Sequence, residues 1–339
     1  VFFDFWDWES DLIWTGRVAQ VLQRLSKTPY VYPLAGALEL DVGKIVEDFK
    51  LKPLLGISDD YQIASLTLMR SDGTTLYTTR DIAYTLQKFE NADVVINVIG
   101  AEQTLAQLQL KAALFALGYG ELALKHRHFS FGLVELPGFK MSSRRGRFIT
   151  LDQVLDEAVR RAYDEVSKRS QGLTEGEKRN IAEVIGVGAV KYALVSVEPS
   201  KSVVFDWDKA LNFETNSGPF IQYAHARACN ILKKAEEKKI KIEKPNYELL
   251  KEPIERDLII LLARFPEVFL GASENLRPDD LAVYANTLAD KFNSFYASLR
   301  VIQAESSELR DARLALVDAV RIVLRNAMSL LGIEMPKRM

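Results

Sequence analysis

Cysteine is nearly absent from this chain. Cys229 is the only one in 339 residues, so no internal disulfide can form, and the usage fits a reducing compartment. A lone cysteine of this kind is most often a small buried apolar residue. Histidine is scarce too, with His126, His128 and His225 the only three. No run of about 18 apolar residues occurs, which excludes a transmembrane helix. The opening stretch, Val-Phe-Phe-Asp-Phe-Trp-Asp-Trp, is aromatic and acidic. It lacks the basic region and small-residue cleavage site of a signal peptide. It also lacks an initiator Met, a first hint that the chain begins inside a larger protein. Together these absences read as a cytoplasmic protein with no membrane partner. Net charge is small, -2 from 44 basic and 46 acidic side chains. Bulk charge therefore predicts no nucleic-acid partner, and any such partner must be held by a local basic patch.

What is present is an ordinary globular composition, 48% hydrophobic and 27% charged, with length for two or three domains. Residues 1–65 alternate aromatic-rich stretches with turns at Tyr32-Pro33 and Lys52-Pro53, around a helix near Gly16–Leu25. Leu66–Arg70 and Thr75–Thr78 flank Ser71-Asp72-Gly73, a hairpin signal. Thr79–Phe89 has helical spacing, Val94–Ile99 is an apolar run suited to a buried parallel strand, Gln103–Leu117 is helical, and His128–Leu136 reads as one more strand. That order suggests half of a doubly wound parallel sheet. Past Pro137 the character changes. Leu151–Arg169 is amphipathic, with a capping-box spacing from Thr150 to Gln153. Helical patterns then cover Gly218–Lys239, Tyr247–Phe265, Pro278–Val301 and Glu308–Leu331. The fold class expected is α/β followed by all-α.

The sharpest motif is Phe139-Lys140-Met141-Ser142-Ser143-Arg144-Arg145-Gly146-Arg147, between a strand and a capped helix. Cations beside small hydroxyl residues suit a loop that clamps a polyphosphate, since Arg and Lys neutralise charge developing on the phosphates. By composition alone, a plain basic surface or a nucleic-acid contact is the commoner use of such a loop. A second cluster is Asp72-Gly73-Thr74-Thr75-Leu76-Tyr77-Thr78-Thr79-Arg80-Asp81-Ile82-Ala83-Tyr84. Asp81 four residues after Tyr77 can present a carboxylate and an aromatic hydroxyl to one guanidinium. The competing reading is a helix cap: Thr78 and Asp81 also have capping-box spacing, and an early acid favours the helix dipole.

These strings resemble those of arginyl-tRNA synthetases. The basic loop is similar to the second signature of the class I synthetases, Lys-Met-Ser-Lys-Ser, in its arginyl variant Lys-Met-Ser-(Ser/Thr)-Arg-x-Gly. Lys140, Met141, Ser142, Arg144 and Gly146 match; Ser143 stands where the general motif has its second Lys. The resemblance implies that Lys140, Ser142 and Arg144 are catalytic and that Lys140, Met141, Ser142, Ser143 and Gln103 bind ATP. It implies that Tyr77, Asp81 and Gln103 bind arginine. Gln103 lies in Gly100-Ala101-Glu102-Gln103, after which this chain has Ala106-Gln107 where the family often has His-Phe. The run from Phe205 to Arg227 resembles the start of the family's anticodon-binding domain, and Asp311 to Met339 resembles its closing helix. Phe295-Tyr296 and Met339 fall where the family stacks an aromatic and a terminal Met on splayed bases. Tyr296, Met339, His225 and Arg227 are thus the implied tRNA contacts. Tyr296 as core and His225 as a cap or core hydrogen bond stay open.

The resemblance implies a Rossmann-like class I catalytic domain, in its second half, followed by a helical-bundle anticodon-binding domain. Its parts would be a connective segment over 1–70, the nucleotide fold with its Lys-Met-Ser loop over 71–147, a helical connection over 148–215 and the anticodon bundle over 216–339. The implied reaction activates L-arginine with ATP and transfers it to its tRNA, a first step that usually needs bound tRNA. Magnesium would arrive on the ATP phosphates, with no protein-held metal. No His-x-Gly-His signature occurs. The expectation is therefore a fragment, a truncated paralogue or one subunit whose N-terminal half is a separate chain, incomplete as a catalyst by itself. The alternative is a non-catalytic tRNA-binding module.

Overall fold

The computed structural model describes residues 2–137, 149–170, 172–240 and 245–339. They fall into two compact units, Val1–Phe131 and Gly132–Met339.

The first unit is α/β. Helices α1 (Glu9–Trp14) and α2 (Arg17–Leu25) precede strands β1 (Val31–Leu34) and β2 (Ala37–Leu40), helices α3 (Val42–Asp48) and α4 (Lys52–Leu55), and strand β3 (Leu66–Met69). The three strands form an antiparallel sheet in the order β1-β2-β3. Leu40, Ile45, Leu66 and Leu68 bury its core. The hairpin expected around Ser71-Asp72-Gly73 forms only its turn. Asp72 accepts from the Thr74 amide at 2.9 Å, and a single bridge joins Met69 to Thr75. Helix α5 (Tyr77–Lys88) begins where a second strand would have run. It is tied to β3 by the buried Thr79 hydroxyl, which donates to the Leu68 carbonyl at 2.8 Å.

Strand β4 (Val95–Gly100), helices α6 (Thr104–Ala116) and α7 (Gly120–Lys125), and strand β5 (His126–Phe131) complete the unit. β4 and β5 pair in parallel from Val95 opposite His126 to Gly100 opposite Phe131. The helical crossover is what a parallel pair requires. β4 is not buried on both faces as its apolar run suggested. Val95 and Asn97 are buried while Ile96 and Val98 are exposed, because helix packing covers only one side among the described residues.

The expected strand over His128–Leu136 is two strands. β6 (Val134–Glu135) leaves β5 after Gly132 and pairs in parallel with β7 (Val203–Val204). Gly132 makes the change of partner possible. Its amide donates to the Pro199 carbonyl at 2.7 Å, and a Cβ there would lie 2.3 Å from the Lys201 carbonyl oxygen.

The rest of the second unit is almost all helix: α8 (Leu151–Arg169), α9 (Glu175–Val195), α10 (Trp207–Ala210), α11 (Gly218–Glu237), α12 (Pro253–Asn275), α13 (Pro278–Ser298) and α14 (Ser307–Leu330). α8 starts at the expected capping box, Thr150 with Gln153. α9 escaped the sequence reading. It carries its own capping box, Thr174 with Glu177. α12 runs through Pro266 to Asn275. The lost backbone bond is offset by Phe265 and Val268, which pack on the bundle core. Phe292 and Phe295 are wholly buried in that core. Inside it the Arg313 guanidinium meets the Glu255 carboxylate at 2.7 Å and donates to the Arg300 carbonyl at 2.9 Å. Among the described residues no helix is long and apolar enough to cross a membrane.

Candidate functional site

In the first unit the candidate residues gather on α5. Tyr77 is the first residue of the helix and not the end of a strand, and its ring is exposed. Asp81 follows one turn later on the same face. The Thr78–Asp81 capping box does not form, because the helix is capped at Leu76 without a side-chain bond. Asp81 is half-buried, and that burial raises its carboxyl above the usual range, opposed by the positive charge of Lys88 and reinforced by Glu9. Its neighbour Arg80 is committed elsewhere: it pairs with Glu9 at 2.6 Å and donates to the Thr75 carbonyl at 2.9 Å. Gln103 ends a short turn, Ala101–Gln103, at the start of α6 and is half-exposed.

Behind Asp81 lies a polar network that the sequence reading missed. The Lys88 ammonium donates to Asn97 Oδ1 at 2.9 Å and sits 4.1 Å from the centre of the Tyr84 ring. Asn97 Nδ2 donates to Gln107 Oε1 at 2.9 Å and lies 2.9 Å from His126 Nε2. Gln107 is thus a buried member of this network. His126 is fully buried. Desolvation, then the charges of Lys111, Lys88 and His128, push its imidazole down to about 4, so the ring is neutral and offers a lone pair to Asn97. The signal was in the sequence: one Asn interrupts an otherwise apolar strand, and a buried amide needs partners.

Lys140, Met141, Ser142, Ser143 and Arg144 of the Lys-Met-Ser string lie outside the described residues. No group of three or more His, Cys, Asp or Glu side chains that could hold a metal occurs among the described residues.

The second unit has its own site, a cleft of about 760 Å³ lined by Tyr223, Arg227, Asn230, Tyr296, Lys337 and Met339, with Lys233, Arg338 and Cys229 on its wall. The structure therefore brings together Tyr296, Met339 and Arg227. Tyr296 is 46% exposed while Phe295 beside it is 0% exposed; Tyr296 is not core, and Phe295 is. The Arg227 guanidinium lies 4.8 Å from the ring centres of both Tyr223 and Tyr296 and donates to Asn293 Oδ1. Tyr223 was overlooked, though its spacing of four from Arg227 on a helix marks a facing pair. His225 does not face the cleft as a phosphate contact would. It is 2% exposed, and its Nδ1 bonds the Pro336 carbonyl at 3.0 Å, the core hydrogen bond left open above. Burial lowers its pKa. With Gln222, which donates to the Glu334 carbonyl at 2.8 Å, it fastens the tail that delivers Met339.

A family model described as "tRNA synthetases class I (R), catalytic domain" matches residues 17–207. The chain belongs to the arginyl-tRNA synthetase family. A second model, "DALR anticodon binding domain", matches residues 221–339, the stretch that builds the cleft. The arginine–tRNA ligase of Ignicoccus hospitalis is 47% identical over 338 residues, 99% of this chain and 53% of that protein. The arginine–tRNA ligase of Aeropyrum pernix is 42% identical over 344 residues, again 99% of this chain and 53% of that protein. The solved arginyl-tRNA synthetase of Thermus thermophilus superposes with a TM-score of 0.84 at 31% identity, over 98% of this chain and 60% of that one. The chain spans about half the length of the curated relatives it matches. α5, with Tyr77 and Asp81, lies in the region matched to the class I catalytic domain.

Proposed function

We propose that this chain supplies the arginine-selecting, phosphate-binding and anticodon-reading parts of an arginine–tRNA ligase. The observation that carries this is the Asp81 carboxylate: half-buried on α5, its carboxyl raised by that burial, with Lys88 and Glu9 acting on it through space, inside the class I (R) catalytic match. A carboxylate so placed is free to take the paired N–H donors of a guanidinium. In the reaction, an oxygen of the arginine carboxylate attacks the α-phosphorus of ATP, and the bond to pyrophosphate breaks. A hydroxyl of the terminal tRNA ribose then attacks the arginyl carbonyl carbon, and AMP leaves. Such chemistry is catalysed by positioning and charge stabilisation. Tyr77, Asp81 and Gln103 hold arginine, while Lys140, Ser142 and Arg144, with Met141 and Ser143, hold the nucleotide. Tyr296, Arg227 and Met339 hold the anticodon loop. A magnesium ion would enter on the ATP phosphates, as such ions commonly do.

Arginine-dependent exchange of pyrophosphate into ATP, measured on the full-length protein with tRNA present, tests the proposal. Lys140→Ala and Arg144→Ala should each slow it by roughly 2–4 kcal/mol in barrier, the size of a lost transition-state contact. Unchanged rates in both would remove the Lys-Met-Ser string from catalysis. A non-catalytic tRNA-binding module is the second reading, favoured by a cleft built wholly from the second unit. It predicts tRNA binding with no exchange.

A further inference from the structure

Lys88 and Asp81 share one face of α5 with Tyr84 between them, at spacings of four and three residues. The lysine nevertheless makes its hydrogen bond away from the acid, to Asn97 Oδ1 at 2.9 Å. The orientation of that amide is fixed from behind. Its nitrogen faces Gln107 Oε1 and His126 Nε2, and turning it over would set an NH₂ group against the ammonium. We infer that Lys88 is a positioning residue for arginine recognition: tethered by Asn97, it balances the Asp81 charge through space while leaving both carboxylate oxygens free for the incoming guanidinium.

The inference rests on the reading of Asp81 as the arginine-binding acid. Untethered, a four-carbon stem would let the ammonium swing to Asp81 and compete with the ligand. Removed altogether, it would leave a half-desolvated carboxylate with less reason to stay ionised. Glu9 of α1 faces Asp81 but is itself paired with Arg80. Asp7 faces Lys88 while accepting from the Tyr84 hydroxyl at 2.9 Å. Lys111 of α6 and His128 of β5 face His126, and both favour its neutral form, which the Asn97 bond requires.

Two variants pull in opposite directions. In Lys88→Met the Asp81 carboxyl pKa should rise by roughly one unit, the size of a lost near charge; in Asn97→Leu the freed ammonium should lower it. Both should raise the KM for arginine with kcat little changed, and Lys88→Arg should restore the Asp81 titration. The carboxyl titration is read by NMR on this chain without arginine, and the kinetics on the full-length protein. Should Asn97→Leu fail to fold, Lys88→Met with Lys88→Arg decides alone. An Asp81 titration that moves in neither Lys88→Met nor Asn97→Leu overturns the inference. A titration that moves as stated with an unchanged arginine KM supports the charge relation and overturns the assignment of Asp81 to arginine.

Discussion

The Arg227 guanidinium lies 4.8 Å from the centre of the Tyr296 ring, and with it in place Tyr296 is still 46% exposed in a basic cleft. A cation on one face leaves the ring a stacking platform for an unpaired base, the usual means of holding a single-stranded loop. Tyr296→Ala should weaken tRNA binding by roughly 1–3 kcal/mol, the worth of one base–aromatic stack. With Lys233, Lys337 and Arg338 around the same cleft, binding should also fall as salt is raised. A filter-binding titration reads both. Equal affinity for wild type and variant would take the cleft out of the tRNA interface.

The buried His126 gives the first unit a pH dependence of definite sign. Its imidazole titrates at about 4, below the ordinary value near 6.5, so the unfolded chain takes up the proton first. The stabilisation is fully present above about pH 6.5 and is lost progressively as pH falls towards 4, amounting to about 3 kcal/mol at the lower end. Amide exchange on β4 and β5 between pH 7.5 and pH 5 should record the loss, since it reports this unit separately. His126→Leu should flatten the dependence in that window. A wild-type protein equally protected at both values would contradict the neutral, buried assignment.

Much of the helical half is legible because local signals and tertiary packing agree. Thr150 with Gln153 fixes the start of α8, and the apolar spacing carries it to Arg169, as expected. α9 fails that test. Gly186 and Gly188 dilute its periodicity, and the reason for them is tertiary: a Cβ at Gly186 would lie 2.6 Å from the Val159 amide nitrogen of α8, and one at Gly188 2.6 Å from Gln222 Nε2 of α11. The sites divide in the same way. Tyr296, Arg227 and Met339 could be named from a string and do converge. The Lys88–Asn97–Gln107–His126 network could not, since its members come from α5, β4, α6 and β5 and meet only in the fold. Tyr77 and Asp81 share one helix because the helix begins at Tyr77, two residues earlier than the spacing over Thr79–Phe89 suggests.

The same contacts make glycine substitutions in α9 opposite in sign. Gly176, in the first turn, has nothing within 4 Å of a built Cβ, so Gly176→Ala should stabilise by about 0.5–1 kcal/mol through helix propensity. Gly186→Ala should destabilise by roughly 1–3 kcal/mol despite that gain, because backbone must move to admit the methyl. Thermal melts of the two variants compare them directly. A Gly186→Ala protein as stable as wild type would contradict the close α8–α9 approach.

The assignment of the arginine guanidinium to Asp81 is tested by the arginine dependence of pyrophosphate exchange in Asp81→Asn full-length protein. An amide of the same size cannot form the charged pair and presents one oxygen where the carboxylate presents two. The KM for arginine should rise about tenfold or more, on the scale of a charge-assisted hydrogen bond of roughly 1.5–3 kcal/mol, with the KM for ATP nearly unchanged and discrimination against lysine reduced. An Asp81→Asn enzyme with wild-type arginine kinetics and only a lower melting temperature would contradict it, leaving Asp81 a residue of helix structure.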